Sequence, residues 1–298
     1  IYVTGAELLE ALEASTYSLP VGGFPQVAGI NFTLSTAVAY DANAETYPAS
    51  TYYGPKSINR VVINSINGKE FKADDTYAVV TNNFVAGGGD TYYAFAAASA
   101  QFDTGIPLDE AVMEYVTTEL KGVIGAQYAA PQGRILMNPF KDVKVSSWFG
   151  KYVIDLYNDG IINGTSATTE TPDAKLSWAA ALKLLLVSHG DLKSEDATGA
   201  DWSKNPNAKA AELGLAAADL DGAKDISRLE VCQVAAKLNK LAESKTESKF
   251  TDCTDGYVMA LVDAKVINGM TETTFEPAAS LTRAQIAKII YQLNLIEK

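Results

Sequence analysis

A repeat in the second half of the chain restricts the fold more than any other feature. Residues 162–183 align without a gap on 267–288, an offset of 105, with identities at Ile162/Ile267, Asn163/Asn268, Gly164/Gly269, Thr169/Thr274, Pro172/Pro277, Ala174/Ala279, Leu176/Leu281, Ala179/Ala284 and Lys183/Lys288. A third copy lies between them: Asp142, Trp148 and Gly160 share their spacing with Asp196, Trp202 and Gly214, and Ile226-Ser-Arg-Leu-Glu230 parallels Leu281-Thr-Arg-Ala-Gln285. The period is about 50 residues, and each copy reads as helix, loop with Gly and Pro, then helix. Trp148, Tyr152 and Leu156 form an apolar stripe on the first predicted helix, and Leu281, Ala284, Ile286, Ile289 and Ile290 do so on the last. Units this small cannot bury such faces alone, so the copies must pack on one another.

The first half follows other rules. Thr4-Gly-Ala-Glu7 is a capping box ahead of Leu8, Leu9, Ala11 and Leu12, which predicts an amphipathic helix over 4–15. Gly22-Gly-Phe-Pro25 breaks it, and Gln26–Leu34 turns toward strand periodicity, with Val27, Ile30 and Phe32. Residues 35–57 read as a long loop. Arg60–Ile66 reads as a strand, Asn67-Gly68 is a strong hairpin signal, and a further strand is expected over Thr76–Thr81. Three glycines, 87–89, follow Asn83 and Phe84 and precede Asp90, exposing backbone to a close neighbour. A helix with Val112, Val116 and Leu120 on one face is expected over 107–120. Strands followed by segregated helices predict an α+β domain.

Composition narrows the function. The 298 residues carry a net charge of −12, and residues 1–139 hold 6 Lys/Arg against 14 Asp/Glu. Nucleic-acid binding is therefore not expected, since neutralising phosphates needs a basic face. No apolar run approaches the ~20 residues needed to span a bilayer, so membrane insertion is not expected either. The chain opens at Ile1 in mid-element, which reads as a mature fragment with sequence upstream. Its two cysteines, Cys232 and Cys253, are far enough apart for a disulfide, although Cys232 lies in an apolar helical run. The single histidine, His189 in Val187-Ser-His-Gly190, suits a helix C-terminus. One histidine does not furnish a binuclear metal site or a base for a Ser or Cys nucleophile, so neither chemistry is expected of this chain alone.

Four ordered motifs in the first half carry a resemblance: Val3-Thr-Gly-Ala-Glu-Leu-Leu9, Gly23-Phe-Pro-Gln-Val-Ala-Gly-Ile30, Asn82-Asn-Phe84 with Gly88-Gly-Asp90, and Gln132-Gly-Arg-Ile135. Over residues 1–137 the chain resembles the C-terminal, substrate-specificity domain of the 5'-nucleotidase family. The resemblance implies that Phe24 and Phe84 clamp a nucleoside base and that Asp90 accepts hydrogen bonds from the ribose hydroxyls. It also implies that Asn83 and Gly88 line the same site. Stacking tolerates different bases because every base has a π-face. Read from the residues alone, Phe24 is an ordinary core anchor and Asp90 a helix N-cap. Thr91 stands where the family commonly has Gly. In that family a separate N-terminal domain holds two divalent metals and performs hydrolysis, so no cofactor is expected in this chain.

Phe140-Lys-Asp-Val143, Trp148, Gly160-Ile-Ile-Asn-Gly164 and Leu281-Thr-Arg-Ala284 are similar to the pattern of S-layer homology (SLH) repeats, at 138–191, 192–244 and 247–298. The resemblance implies an all-α, pseudo-threefold assembly that binds secondary cell-wall polysaccharide, often pyruvylated, in grooves between copies. The ligand groups it implies are Asp142, Trp148 and Gly164 in the first copy, Asp196, Trp202 and Arg228 in the second, and Asp252, Gly269 and Arg283 in the third. Trp178 replaces the Arg in the first copy, and the third lacks the Trp. A guanidinium fork suits a carboxylate, and an indole face suits a sugar ring. Without the resemblance, Trp148 reads as core, the aspartates as N-caps and the arginines as surface ion pairs.

Together these readings predict the C-terminal portion of a secreted, wall-attached 5'-nucleotidase-like hydrolase, inactive by itself. The alternatives are a non-catalytic surface binding and anchoring protein, or a phosphoesterase for cyclic nucleotides or nucleotide sugars.

Overall fold

Thr4 starts the first helix as its sequence predicts. Its backbone N–H donates to Glu7 Oε2 at 2.7 Å, and its hydroxyl accepts from the Glu7 N–H at 3.2 Å, closing the capping box. In the computed structural model, which describes residues 1–39 and 58–296, a short strand β1 (Tyr2–Thr4) leads into this helix, α1 (Gly5–Ser15). Strands β2 (Ile30–Ser35), β3 (Val61–Ile66) and β4 (Thr76–Ala78) follow. The chain divides into two compact units, Ile1–Pro139 and Phe140–Lys298.

The first unit mixes helix and sheet. Its three-stranded sheet has the order β3-β2-β5, where β5 is Ile135–Asn138; β2 is antiparallel to β3 and parallel to β5. Strand β1 pairs separately with β4. Leu8, Ala11 and Leu12 of α1 pack on Phe32 and Leu34 of β2, Val61 and Ile63 of β3, and Phe95. The 40–57 part of the loop expected over 35–57 lies outside the described residues.

A buried carboxyl locks helix to sheet. Glu13 accepts backbone N–H groups from Ile58 (3.3 Å), Arg60 (3.1 Å) and Val61 (3.0 Å). Burial raises its pKa, and these three bonds oppose that rise. An apolar sequence reading of α1 has no place for this residue, which sits on the helix face turned toward the core.

Two expectations need correction. Asn67 and Gly68 do turn the chain with positive φ of 49° and 75°, but the following strand pairs with β1 instead of returning along β3. The polar stretch after the turn has no apolar alternation to register against β3, and it hydrogen-bonds to the start of α1 through Gly5 and Ala6. The helix expected over 107–120 is present but not regular or buried: α3 spans Leu108–Glu114 and continues as a π turn through Glu119. Val112 is 55% exposed, so its apolar stripe is not a core face among the described residues.

In the second unit all named elements are helical: α4 (Gly150–Asn158), α5 (Trp178–His189), α6 (Lys204–Glu212), α7 (Arg228–Leu238), α8 (Gly256–Asp263) and α9 (Arg283–Ile296), with a 3-10 turn at Ser194–Ala197. His189 ends α5 as expected, before Gly190 in the left-handed conformation. Cys232 and Cys253 are both buried free thiols, so the disulfide does not form. Burial pushes the Cys232 thiol up to about 12.

The helix starts explain how the copies join. The first N–H groups of any helix lack intrahelical partners. Here those of α5, α7 and α9 are satisfied by loop carbonyls of another copy. Trp178 and Ala179 donate to Lys224 and Gly222, Arg228 and Leu229 donate to Ala279 and Pro277, and Arg283 and Ala284 donate to Ala174 and Pro172, all at 2.8–3.0 Å. The hydrogen bonds thus run from copy to copy in a cycle. Leu176, Ile226 and Leu281, one from each copy, are almost fully buried beside them.

Truncating Glu13→Ala leaves three backbone donors of the α1–β3 junction without an acceptor. At ~1–3 kcal/mol for a stranded buried group, the variant should unfold at least ~1 kcal/mol more easily than the parent in urea titration followed by far-UV circular dichroism. An unchanged midpoint would show that the junction does not depend on this carboxyl.

Candidate functional sites

The glycine segment folds into a compact corner in the first unit. Asn82 caps a four-residue helix, α2 (Asn83–Ala86), by accepting from the Val85 N–H at 2.8 Å. Asn83 is exposed at its start. Phe84 is 58% exposed, which sets it apart from the core aromatics Phe32 and Phe95. Its ring lies on Gly89, where a Cβ would come within 2.6 Å of Phe84 Cζ. Gly88, at φ +85°, packs on Tyr93 and Ala96. The chain thus needs both glycines to fit its own atoms, a use that the sequence reading, which reserved them for a sugar, did not anticipate.

Asp90 follows at φ +51°. It does not cap the next helical turn, Tyr93–Ala97, whose N-cap is Tyr92. Instead it adjoins the other motif: a Cβ on Gly23 would stand 3.5 Å from Asp90 Oδ2. Tyr92 fastens this approach by donating its hydroxyl to the Gly23 carbonyl at 2.8 Å. Burial raises the Tyr92 pKa to about 12, which keeps that donor protonated. Phe24 is half-buried against the core cluster. The Gly23-Phe24 loop, Asp90 and the Phe84 ring are therefore neighbours around Gly89-Asp90. Thr91 is buried, and its hydroxyl has no hydrogen-bond partner among the described residues.

In the second unit the aspartates divide. Asp142 accepts from the Glu170 and Thr171 N–H groups at 3.0 and 2.7 Å, and Asp252 accepts from those of Phe275 and Glu276, both at 2.8 Å. Thr171 and Glu276 both have positive φ, so each aspartate holds the same strained loop in its own copy. The two N–H groups hold the Asp252 carboxyl below the usual range. Neither residue is a helix N-cap. Asp196 does not repeat the arrangement: it is exposed in the 3-10 turn, and its carbonyl accepts from Asn205 at 2.6 Å. Gly164 and Gly269 are equivalent in space as in sequence, since a Cβ on either would meet the ring of Phe140 or Phe250 at 2.5 Å.

One groove gathers residues of all three copies. It has a volume of about 180 Å³ and is lined by Trp148 of the first copy, Arg228 of the second, and Asn268, Gly269, Gln285 and Lys288 of the third, among others. Among the described residues no acidic side chain lines it. Trp148 is not on the helical stripe expected for it; it precedes α4, is 57% exposed and meets Phe149 edge-on at 5.5 Å. Arg228 is buried, rests 4.6 Å from the centre of the Phe275 ring, and donates through Nη2 to the Asn268 carbonyl at 2.7 Å. Its Nε has no acceptor among the described residues. Burial lowers the Arg228 pKa, and Cys232 and Glu276 oppose this.

The equivalent groups around the second copy meet differently. Lys183 stands 5.9 Å from the centre of the half-buried Trp202 ring and donates to the Ala197 carbonyl at 2.8 Å. Arg283 places Nε at 2.9 Å and Nη2 at 2.7 Å from Oε1 of Glu170, a residue with no exposed surface. Burial raises the Glu170 carboxyl to about 7; Arg283 pulls it down and Asp142 pushes it further up. The surface ion pair foreseen for Arg283 is therefore a buried one. Sequence reading missed Glu170, Lys183 and Lys288, although the 105-residue offset already set Glu170 opposite Phe275 and the two lysines opposite each other.

Comparison with known proteins bears on both units. Residues 1–97 match the family model of the 5'-nucleotidase C-terminal domain, and residues 139–181 and 252–287 match that of the S-layer homology domain. The chain thus pairs a region similar to the 5'-nucleotidase C-terminal domain with regions similar to S-layer homology domains. The matched SLH residues do not include the copy at 192–244. Among curated relatives, the trifunctional nucleotide phosphoesterase protein YfkN of Bacillus subtilis (strain 168) is 38% identical over 107 residues, covering 35% of this chain and 6% of that protein. An endoglucanase of Bacillus sp. (strain KSM-635) is 28% identical over 179 residues, covering 52% of this chain and 18% of that one. The chain therefore spans less than a fifth of either relative. A crystal structure of the 5'-nucleotidase precursor from Thermus thermophilus is 31% identical, covers 46% of this chain and 24% of that chain, and has a TM-score of 0.34. No helix among the described residues is long and apolar enough to cross a membrane.

The raised Glu170 pKa fixes the sign of a pH effect in the SLH unit. The folded state holds this proton more tightly than the unfolded chain, whose ordinary value is 4.5. The stabilisation is complete below that value and is lost as pH rises through about 7. All three tryptophans, Trp148, Trp178 and Trp202, lie in this unit, so tryptophan fluorescence in urea reads it selectively. Unfolding free energy should fall by up to ~3 kcal/mol across that window, at ~1.4 kcal/mol per pKa unit. Glu170→Gln should flatten the slope, and an equal slope in both proteins would assign it to other groups.

Proposed function

We propose that this chain is the C-terminal portion of a bacterial, wall-attached nucleotide phosphoesterase. The first unit receives the nucleoside part of the substrate, and three SLH copies at 138–191, 192–244 and 247–298 bind wall polysaccharide as a pseudo-threefold assembly. The union of the two domain families in one chain carries this reading. The similarity to a Bacillus subtilis nucleotide phosphoesterase supports nucleotide phosphoesters as the substrate class. The family's two divalent metals belong, in this proposal, to a separate catalytic domain. Among the described residues no group of three or more His, Cys, Asp or Glu side chains could hold a metal.

The nucleoside reading draws on the exposed Phe84 ring and on the neighbouring Asp90 and Gly23-Phe24 loop. An uncovered ring offers a base its π-face, and a carboxylate accepts from two vicinal hydroxyls. Asn83 and Gly88 would shape the slot through the backbone. The polysaccharide reading draws on the groove of Trp148 and Arg228 with Gly269; Trp202, Arg283 and Gly164 hold the equivalent positions in the repeat. Asp142 and Asp252 act by holding the loops that border these grooves, and exposed Asp196 is left to contact ligand directly. Binding there would place the protein at the cell surface, outside the membrane.

Two experiments test the two halves. In calorimetric titration of adenosine, Phe24→Ala and Phe84→Ala should each weaken binding roughly 5- to 150-fold, the equivalent of ~1–3 kcal/mol per stacked base. Equal affinities in parent and variants would reject the clamp. In co-sedimentation with purified wall, Trp148→Ala and Arg228→Ala should release most of the protein, as should extraction of the wall polysaccharide beforehand. Retention that survives all three treatments would reject polysaccharide anchoring.

A further inference from the structure

The three copies place Trp178, Arg228 and Arg283 at the same point, the first residue of α5, α7 and α9. Each of these residues donates its backbone N–H to the loop of another copy. For the two arginines, the facing loop residues are also equivalent. Phe275 faces Arg228 and Glu170 faces Arg283; they are 105 positions apart, and each gives its N–H to the tethering aspartate of its copy. The backbone is repeated, but the side chain under the guanidinium is a ring in one case and a carboxyl in the other.

We infer that Glu170 is a built-in occupant of the Arg283 groove, so that the SLH unit binds one carboxylate-bearing sugar, at the Trp148–Arg228 groove, rather than two. This rests on the polysaccharide reading above and specifies its stoichiometry. Glu170 Oε1 already accepts from both Nε and Nη2 of Arg283, the fork that an incoming carboxylate would use. A competing ligand would have to strip a fully buried carboxyl of its partner, which is strongly unfavourable. The surrounding groups are engaged as well. Lys183 donates to the Ala197 carbonyl, and the Asn163 side chain donates to Ser194 Oγ at 2.6 Å.

The other groove offers the opposite surroundings. Among the described residues, Arg228 lies on an uncharged ring with a buried Nε that has no acceptor, Lys288 is exposed, and no acidic residue lines the wall. An anion there gains a charged hydrogen bond without displacing one. The third position is excluded on simpler grounds, because Trp178 supplies no guanidinium.

The test is calorimetric titration of the whole chain with a ketal-pyruvylated N-acetylhexosamine glycoside, using the unpyruvylated sugar as control. The unaltered protein should bind one equivalent of the pyruvylated probe, and Arg228→Ala should reduce that affinity at least tenfold. Glu170→Gln and Glu170→Phe should each raise the stoichiometry to two, with folding checked by tryptophan fluorescence. The double variant Glu170→Phe with Arg228→Ala should keep the second site alone. Two equivalents on the unaltered protein, or one equivalent on both folded Glu170 variants, overturns self-occupation while leaving the polysaccharide reading standing. No heat with the unaltered protein, or heat indifferent to Arg228→Ala, removes both.

Discussion

The second unit depends on a shortage common to all helices: their first N–H groups have no acceptor inside the helix. In α5, α7 and α9 the acceptor is another copy's loop, reached in the same way by Trp178, Arg228 and Arg283. Because these donors are backbone groups, the arrangement survives wide changes in side chain. This is how a Trp and two Arg can occupy one structural position. The donors also bring the first residue of each helix up to a loop of a neighbouring copy, and so create the grooves. Assembly and groove formation share one set of atoms.

The first unit solves a comparable problem with side chains. Glu13 gathers three N–H groups ahead of and at the start of β3, and Tyr92 fixes the Gly23 carbonyl. The first contact ties helix to sheet, and the second holds the Gly23-Phe24 loop, far away in sequence, beside Asp90. Phe84, in the same corner, leans on Gly89 and turns much of its surface outward. Its exposure rests on contacts the chain makes with itself, so presenting the ring needs no rearrangement of the corner.

Much of this was legible in the sequence because it is periodic or local. The capping box at Thr4 and Glu7 needs only four consecutive residues, and the repeat needs only self-comparison. The arrangement of charge was less legible. Nothing local distinguishes Asp142 as a loop tether from Asp142 as a sugar ligand, since both uses require an unprotonated carboxylate; the difference lies in Glu170 and Thr171, nearly thirty positions away. The spacing of Trp148 to Tyr152 and Leu156 is helical, yet α4 begins only at Gly150. The turn at Asn67-Gly68 is legible from its two residues. Its continuation is not, because the following strand pairs with β1, which lies far away in sequence.

The path of the hydrogen bonds has a consequence for how such a module can evolve. In an open stack of repeats, copies can be added or lost at either end, provided that the terminal faces are made polar. Here Arg283 and Ala284 of the last copy donate to Ala174 and Pro172 of the first, so the array has no terminal face to extend. Duplication of one copy would leave it with donors and carbonyls already spoken for. Change is then confined to substitution within a fixed number of members, and a position such as that of Trp178 can carry a different side chain without loosening the whole.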